Sequence, residues 1–179
     1  TILPSTDGLV FPFEAVNLRA VDVSVIQVFE KNMIQFLQTN NLNGNNQLRR
    51  VGRPVFKGTI ELDGSGVMDL TKWNTFTFDL AKLIEAEPGA LYQLRVGMKK
   101  NYAIYDCGDG IEELNLNTPE LQDDWADFDG EQNGSYDSYG MDYYRNGYNW
   151  RDRDNPCTAS YYLNTDRTVQ TNLLASDLG

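Results

Sequence analysis

In successive runs between Val21 and Ile104 apolar side chains recur at every second position, and this period restricts the fold more than any other feature of the chain. A strand turns successive side chains to opposite faces, so such runs call for one covered face and one wet one. Val21, Val23 and Val25 alternate with Asp22 and Ser24, after which the phase shifts to Ile26 and Val28, as a β-bulge would make it do. Phe56, Ile60 and Leu62 share one face of a strand that ends in the turn Asp63-Gly64-Ser65-Gly66. Phe76, Phe78 and Leu80 alternate with Thr75, Thr77 and Asp79. Tyr92, Leu94, Val96 and Met98 alternate with Gln93, Arg95, Gly97 and Lys99, and Tyr102 and Ile104 keep that phase.

The run from Leu9 to Val16 is interrupted by Pro12, which suits an edge strand because proline cannot donate to a ladder. Lys31 to Asn40 sets Met33, Phe36 and Leu37 at helical spacing, and an Asn-rich run follows, so a short helix and loop are expected to cross between strands. Leu83 and Ile84, then Pro88-Gly89, then Tyr92 read as a corner connection, with the apolar pair plugging the sandwich end and Tyr92 bonding back over the turn. After Cys157, Tyr161-Tyr162-Leu163 and then Val169, Thr171, Leu173 and Ala175 are expected to supply one or two closing strands. About seven short strands without long helices predict an all-β, two-sheet antiparallel sandwich. The expected organisation is one domain over residues 1–179 with an insertion at 106–157.

That insertion is marked out by charge. Residues 106–157 hold fourteen acidic and three basic side chains, whereas the rest of the chain holds twelve of each. The whole net charge of −11 therefore belongs to one stretch, which also carries eight of the 21 aromatics. An acidic surface repels nucleic acid and anionic membranes, which argues against both as partners. The two cysteines, Cys107 and Cys157, bracket the stretch, and an even count flanking an insertion reads as a disulfide closing it; two unrelated buried thiols are the alternative. The aromatics are expected to lie inward on the sandwich with the carboxylates outward.

Histidine is absent, which removes the commonest general base and metal ligand and every Ser-His or Cys-His nucleophile. Asp123, Asp124, Asp127 and Asp129, with Asp152 and Asp154 near Cys157, invite calcium, but the EF-hand order is broken where Gln132 stands in place of glycine. A solvated acidic loop accounts for them more simply. No pair of carboxylates is singled out for glycosidase chemistry, and no cofactor motif occurs. Trp125, Tyr143, Tyr144, Tyr148 and Trp150 form a candidate interaction surface: they are either stacking platforms for sugars or packing for the insertion. Asn133-Gly134-Ser135 fits a glycosylation sequon and also an ordinary turn.

No run reaches the roughly 18 apolar residues of a membrane span, and Thr1-Ile2-Leu3-Pro4-Ser5 shows no targeting pattern, so a processed or excised piece of a larger protein is expected. Phe13-Glu14-Ala15-Val16-Asn17-Leu18-Arg19-Ala20-Val21-Asp22-Val23 leads to Gln35-Phe36-Leu37-Gln38, Asn41-Leu42-Asn43-Gly44 and Leu48-Arg49-Arg50-Val51-Gly52-Arg53-Pro54, and the chain closes on Leu174-Ala175-Ser176-Asp177-Leu178-Gly179. With these segments it resembles an N-terminal-region macroglobulin domain of a bacterial α2-macroglobulin-type protein, of the kind found in Bacteroidetes, over nearly its whole length. The resemblance implies a macroglobulin or fibronectin type III-like fold. It also implies a non-catalytic scaffold within a periplasmic or surface lipoprotein that traps proteases, with neighbouring domains and proteases as partners. The family's thioester needs Cys-x-Glu-Gln, yet Cys107 precedes Gly108-Asp109 and Cys157 precedes Thr158-Ala159, so no thioester is expected here. A carbohydrate-binding or adhesion sandwich presenting the aromatic insertion is the alternative.

Overall fold

The Val-rich alternation builds the centre of the molecule. In the computed structural model, which describes residues 2–4, 10–40, 48–64, 66–108, 148–163, 167 and 169–176, it forms β3 (Ala20–Val28), flanked by β4 (Gly52–Glu61) and β6 (Leu91–Gly97). β7 (Val169–Ser176) pairs with the far side of β6, and β1 (Ile2–Pro4) with the far side of β7, giving the order β1-β7-β6-β3-β4. β2 (Val10–Ala15) and β5 (Asn74–Asp79) make a second, two-stranded sheet. The protein is thus an all-β, two-sheet sandwich with few helices. Every pairing is antiparallel except that of β1 with β7, which is parallel, a departure from the fully antiparallel expectation.

One face of the large sheet packs on the small one. Val21, Val23, Val25, Tyr92, Leu94, Val96 and Leu173 meet Phe13, Ala15, Phe78 and Leu80 in a single buried cluster. Phe13 stacks on Phe78 with ring centroids 4.5 Å apart and on Phe76 at 5.5 Å. Pro12 lies exposed in β2, whose one neighbour among the described residues is β5, as an edge proline should. The opposite face is covered at one end by two short helices, α1 (Met33–Thr39) and α2 (Leu48–Val51). Ile26, Val28 and Leu91 pack there against Phe36, Leu48 and Val51, with Met33 at the margin. Leu37, expected on the apolar side of α1, is instead exposed, because the seven-residue helix is anchored through Phe36.

The phase shift at Ile26 has a different origin from the one expected. β3 pairs with β6 without interruption, so its residues keep strict alternation. The register slips only against β4, where Val25 faces Phe56 and Ile26 faces Pro54, so that Val55 is the extra residue. The bulge belongs to β4. Ile26 and Val28 are apolar because α1 and α2 cover the second face at that end. Gly52 makes the close approach possible: a Cβ there would lie 2.5 Å from the Gln27 carbonyl oxygen.

The corner forms as the sequence implies. Leu80 is fully buried, and Leu83 and Ile84 pack on the same cluster. Asp79 accepts the Ala81 N–H and caps a 3₁₀ turn over Leu80–Lys82. The Tyr92 ring is fully buried, and its hydroxyl accepts a hydrogen bond from the Glu87 backbone N–H at 2.7 Å. Gly89 takes φ +77°, and its N–H bonds the Ala175 carbonyl at 2.8 Å, tying the corner to β7.

Two expected strand segments are not strands. β6 ends at Gly97, and Lys100–Tyr102 is a 3₁₀ turn, because Tyr102 swings back over the sheet to bond Asp22. Tyr161-Tyr162-Leu163 belongs to a helical turn, α3 (Ala159–Leu163), rather than to a closing strand. There the Tyr162 hydroxyl donates to the Pro156 carbonyl at 2.6 Å, a local bond that an extended chain could not make.

Candidate interaction surface

The stem of the insertion is locked to the sandwich. Asn17, in the left-handed region with φ 57°, donates its N–H to the Leu70 carbonyl at 2.7 Å and accepts from the Ile104 N–H at 3.1 Å. Leu18 bridges Ala103, and the Arg19 guanidinium donates to the Asn101 carbonyl at 2.6 Å. On the wet part of the large sheet, one Asp22 oxygen accepts from the Tyr102 hydroxyl at 2.6 Å and from the Thr59 hydroxyl at 2.8 Å. The other meets the Lys99 ammonium at 2.6 Å. Burial, and then the bond to Asp22, push the Tyr102 hydroxyl above the ordinary tyrosine pKa. Burial works to lower Lys99, but its bond to Asp22 outweighs this and the lysine is raised. An aspartate inside a run of valines was the only sign of this network in the sequence.

Cys107 and Cys157 are bonded, with their Cα atoms 5.5 Å apart and a sequence separation of 50. Residues 148–163, the end of the insertion and the segment that follows it, are held by local caps. The Asn149 side chain accepts the Arg151 N–H at 3.1 Å and donates to Asp152 at 2.6 Å, which starts a 3₁₀ turn over Trp150–Asp152. The Asn149 N–H donates to the Ser160 hydroxyl at 2.7 Å, and the Thr158 hydroxyl donates to the Asp152 carbonyl at 2.9 Å.

A relay of rings and charges runs across this segment. Tyr105 meets Tyr161 edge to face at 6.5 Å, and the Arg167 guanidinium sits 3.9 Å from the centroid of the Tyr161 ring. Arg167 bonds Asp154 at 3.0 Å, Asp154 takes Arg153 at 3.2 Å, and Arg153 stacks 3.1 Å from the centroid of the Trp150 ring. Burial raises the Tyr161 pKa, with Tyr105 adding to it. Trp150 ends the relay 65% exposed, so it does not pack inward on the sandwich as expected; Arg153, not the sandwich, supports it.

Of the five candidate aromatics, Tyr148 and Trp150 are among the described residues, Tyr148 half-buried and Trp150 exposed. Trp125, Tyr143 and Tyr144 lie outside the described residues, as do Asp123, Asp124, Asp127, Asp129 and the Asn133 sequon. Asp152 and Asp154, the two carboxylates of the calcium reading that are described, are engaged by Asn149 and by two arginines. Tyr105, Arg153, Tyr161 and Arg167 were not singled out from sequence. Arginines interleaved with aromatics near Cys157 were the available signal. No helix among the described residues is long and apolar enough to cross a membrane. Compared with known proteins, the chain matches no family model, no curated protein and no solved structure.

Proposed function

We propose that this chain is a non-catalytic scaffold and interaction domain of macroglobulin type, serving in an α2-macroglobulin-like protease-trapping protein outside the cytoplasm. The observation that carries the reading is the strand order together with the Tyr92 corner. In the lettering of immunoglobulin- and fibronectin-type sandwiches, β2 and β5 take the places of B and E, β3, β6 and β7 those of C, F and G, and β4 that of C′. Tyr92 then stands near the start of strand F with its hydroxyl bonded back to the E–F corner. The segments that carry the family resemblance do structural work of a kind independent of any chemistry. Asn17 and Arg19 hold the 101–104 stem, Phe36, Leu48 and Val51 cover the sheet, and Gly52 admits the Gln27 carbonyl. A disulfide fits an oxidising compartment.

Protease capture by the parent polypeptide, read as a retained complex on a gel, tests this reading alongside the isolated 179-residue chain. The parent is expected to capture an endoprotease, while the chain alone neither hydrolyses nor inhibits one. Stoichiometric inhibition by the chain alone, or a parent without capture, overturns the proposal. The exposed, arginine-backed Trp150 favours a second reading, sugar binding. Quenching or enhancement of tryptophan fluorescence by neutral oligosaccharides, lost in Trp150→Ala, would favour it over the scaffold reading.

A further inference from the structure

We propose that β5 is a pairing edge for a second copy of this chain, joined antiparallel across a two-fold axis into a continuous four-stranded β2-β5-β5′-β2′ sheet. A two-stranded sheet leaves both its strands at an edge, and an open edge is a template for another strand unless something blocks it. The other edges are blocked. β4 carries Pro54, the bulge at Val55, and the cations Arg53 and Lys57. β2 carries Pro12, β7 is covered by β1, and β1 is three residues long and ends in Pro4. β5, Asn74-Thr75-Phe76-Thr77-Phe78-Asp79, has no proline, no bulge and no cation. Beyond its pairing with β2, no backbone hydrogen bond reaches Asn74–Asp79 among the described residues.

The connection that leads into β5 exposes apolar side chains and is braced by local hydrogen bonds. Val67 and Trp73, on the connection that leads into β5, are 83% and 69% exposed, and Met68 is exposed with them. Asp63 accepts the Val67 and Met68 N–H groups, and Asp69 accepts from Thr71 and pairs with Lys72 at 2.8 Å.

A second copy is the occupant that the strand itself matches. Antiparallel pairing centred on Thr77 sets Phe76 opposite Phe78′ on the inner face and Thr77 opposite Thr77′, with Thr75 opposite Asp79′, on the outer face. Aromatic and threonine pairs of this kind stabilise neighbouring strands, and no like charges are opposed. Phe76, half-buried beside Phe13, would extend its core across the edge. Outside 106–157 the chain is neutral, so the sandwich itself does not repel a copy. The acidic stretch does, which makes the association weak and strengthens it with salt.

Sedimentation equilibrium of the 179-residue chain over a range of concentrations, at low and high salt, tests the proposal. A monomer–dimer equilibrium that tightens with salt is expected. Thr77→Lys sets like charges opposite each other and weakens the dimer at least about threefold. Thr75→Lys faces Asp79′ and leaves the dimer unchanged or tighter. Both substitutions are at exposed positions and change the net charge equally, so only the register separates them. Circular dichroism confirms that both variants fold. A strictly monomeric wild type, a dimer indifferent to Thr77→Lys, or equal weakening by both substitutions overturns the proposal.

Discussion

Replacing Tyr92 with phenylalanine removes one oxygen from a fully buried ring and leaves its packing against the sandwich core in place. The loss therefore isolates the bond from the Glu87 N–H, which is 2.7 Å long. A net intramolecular hydrogen bond contributes about 1 kcal/mol, and stranding its buried partner costs about 1–3 kcal/mol. Glu87 is exposed, so water can reach part of that turn, and the lower half of the range applies. A destabilisation of about 1.5 kcal/mol follows. For a chain of this length the unfolding entropy converts it to a Tm about 4 °C lower. Calorimetry and urea titration give the measurement, with an unchanged m-value showing that the denatured state is the same. A Tm within about 1 °C of wild type would refute the claim that this bond holds the corner, since it would place the loss below that of an ordinary hydrogen bond.

Cys107→Ser with Cys157→Ser opens a 50-residue loop, and the chain-entropy model gives a loss of up to about 4 kcal/mol in thermal or urea denaturation. The unreduced, denatured wild type should show no free thiol in a labelling assay. Stability should also fall in alkali. Tyr92, Tyr102 and Tyr161 all have folded-state pKa values raised by burial, and Lys99 is raised by Asp22 against the opposing effect of burial. A raised folded value stabilises fully below the unfolded value, near 10, and the contribution is lost as pH rises through the folded value. Tm should therefore be flat with respect to these groups up to about pH 9 and fall above about pH 10. A Tm that rises with pH there would contradict the burial of these tyrosines.

Most of the strands were legible before folding, because period-two patterning ties a residue's face to its position along the chain. The valines of β3, the phenylalanines of β5 and the Tyr92 row of β6 all fall where that patterning sets them, and Pro12 marks an edge for a purely local reason. The corner was legible too, since Pro88-Gly89 and Tyr92 act within a few residues of one another. Cys107 and Cys157 were legible as a pair because only two thiols exist. What the sequence left open depends on contacts between distant segments. Ile26 and Val28 look like a strand out of phase, and only the docking of α1 and α2 shows that both faces of β3 are covered at that end. Tyr102 alternates correctly for a strand, yet Asp22, 80 residues away, draws its hydroxyl onto the sheet and ends the run. Tyr161 and Trp150 are equally apolar in composition. Tertiary structure leaves one between Tyr105 and Arg167 and the other exposed on Arg153, because Tyr105 comes from a segment more than 50 residues away that sequence proximity does not reveal.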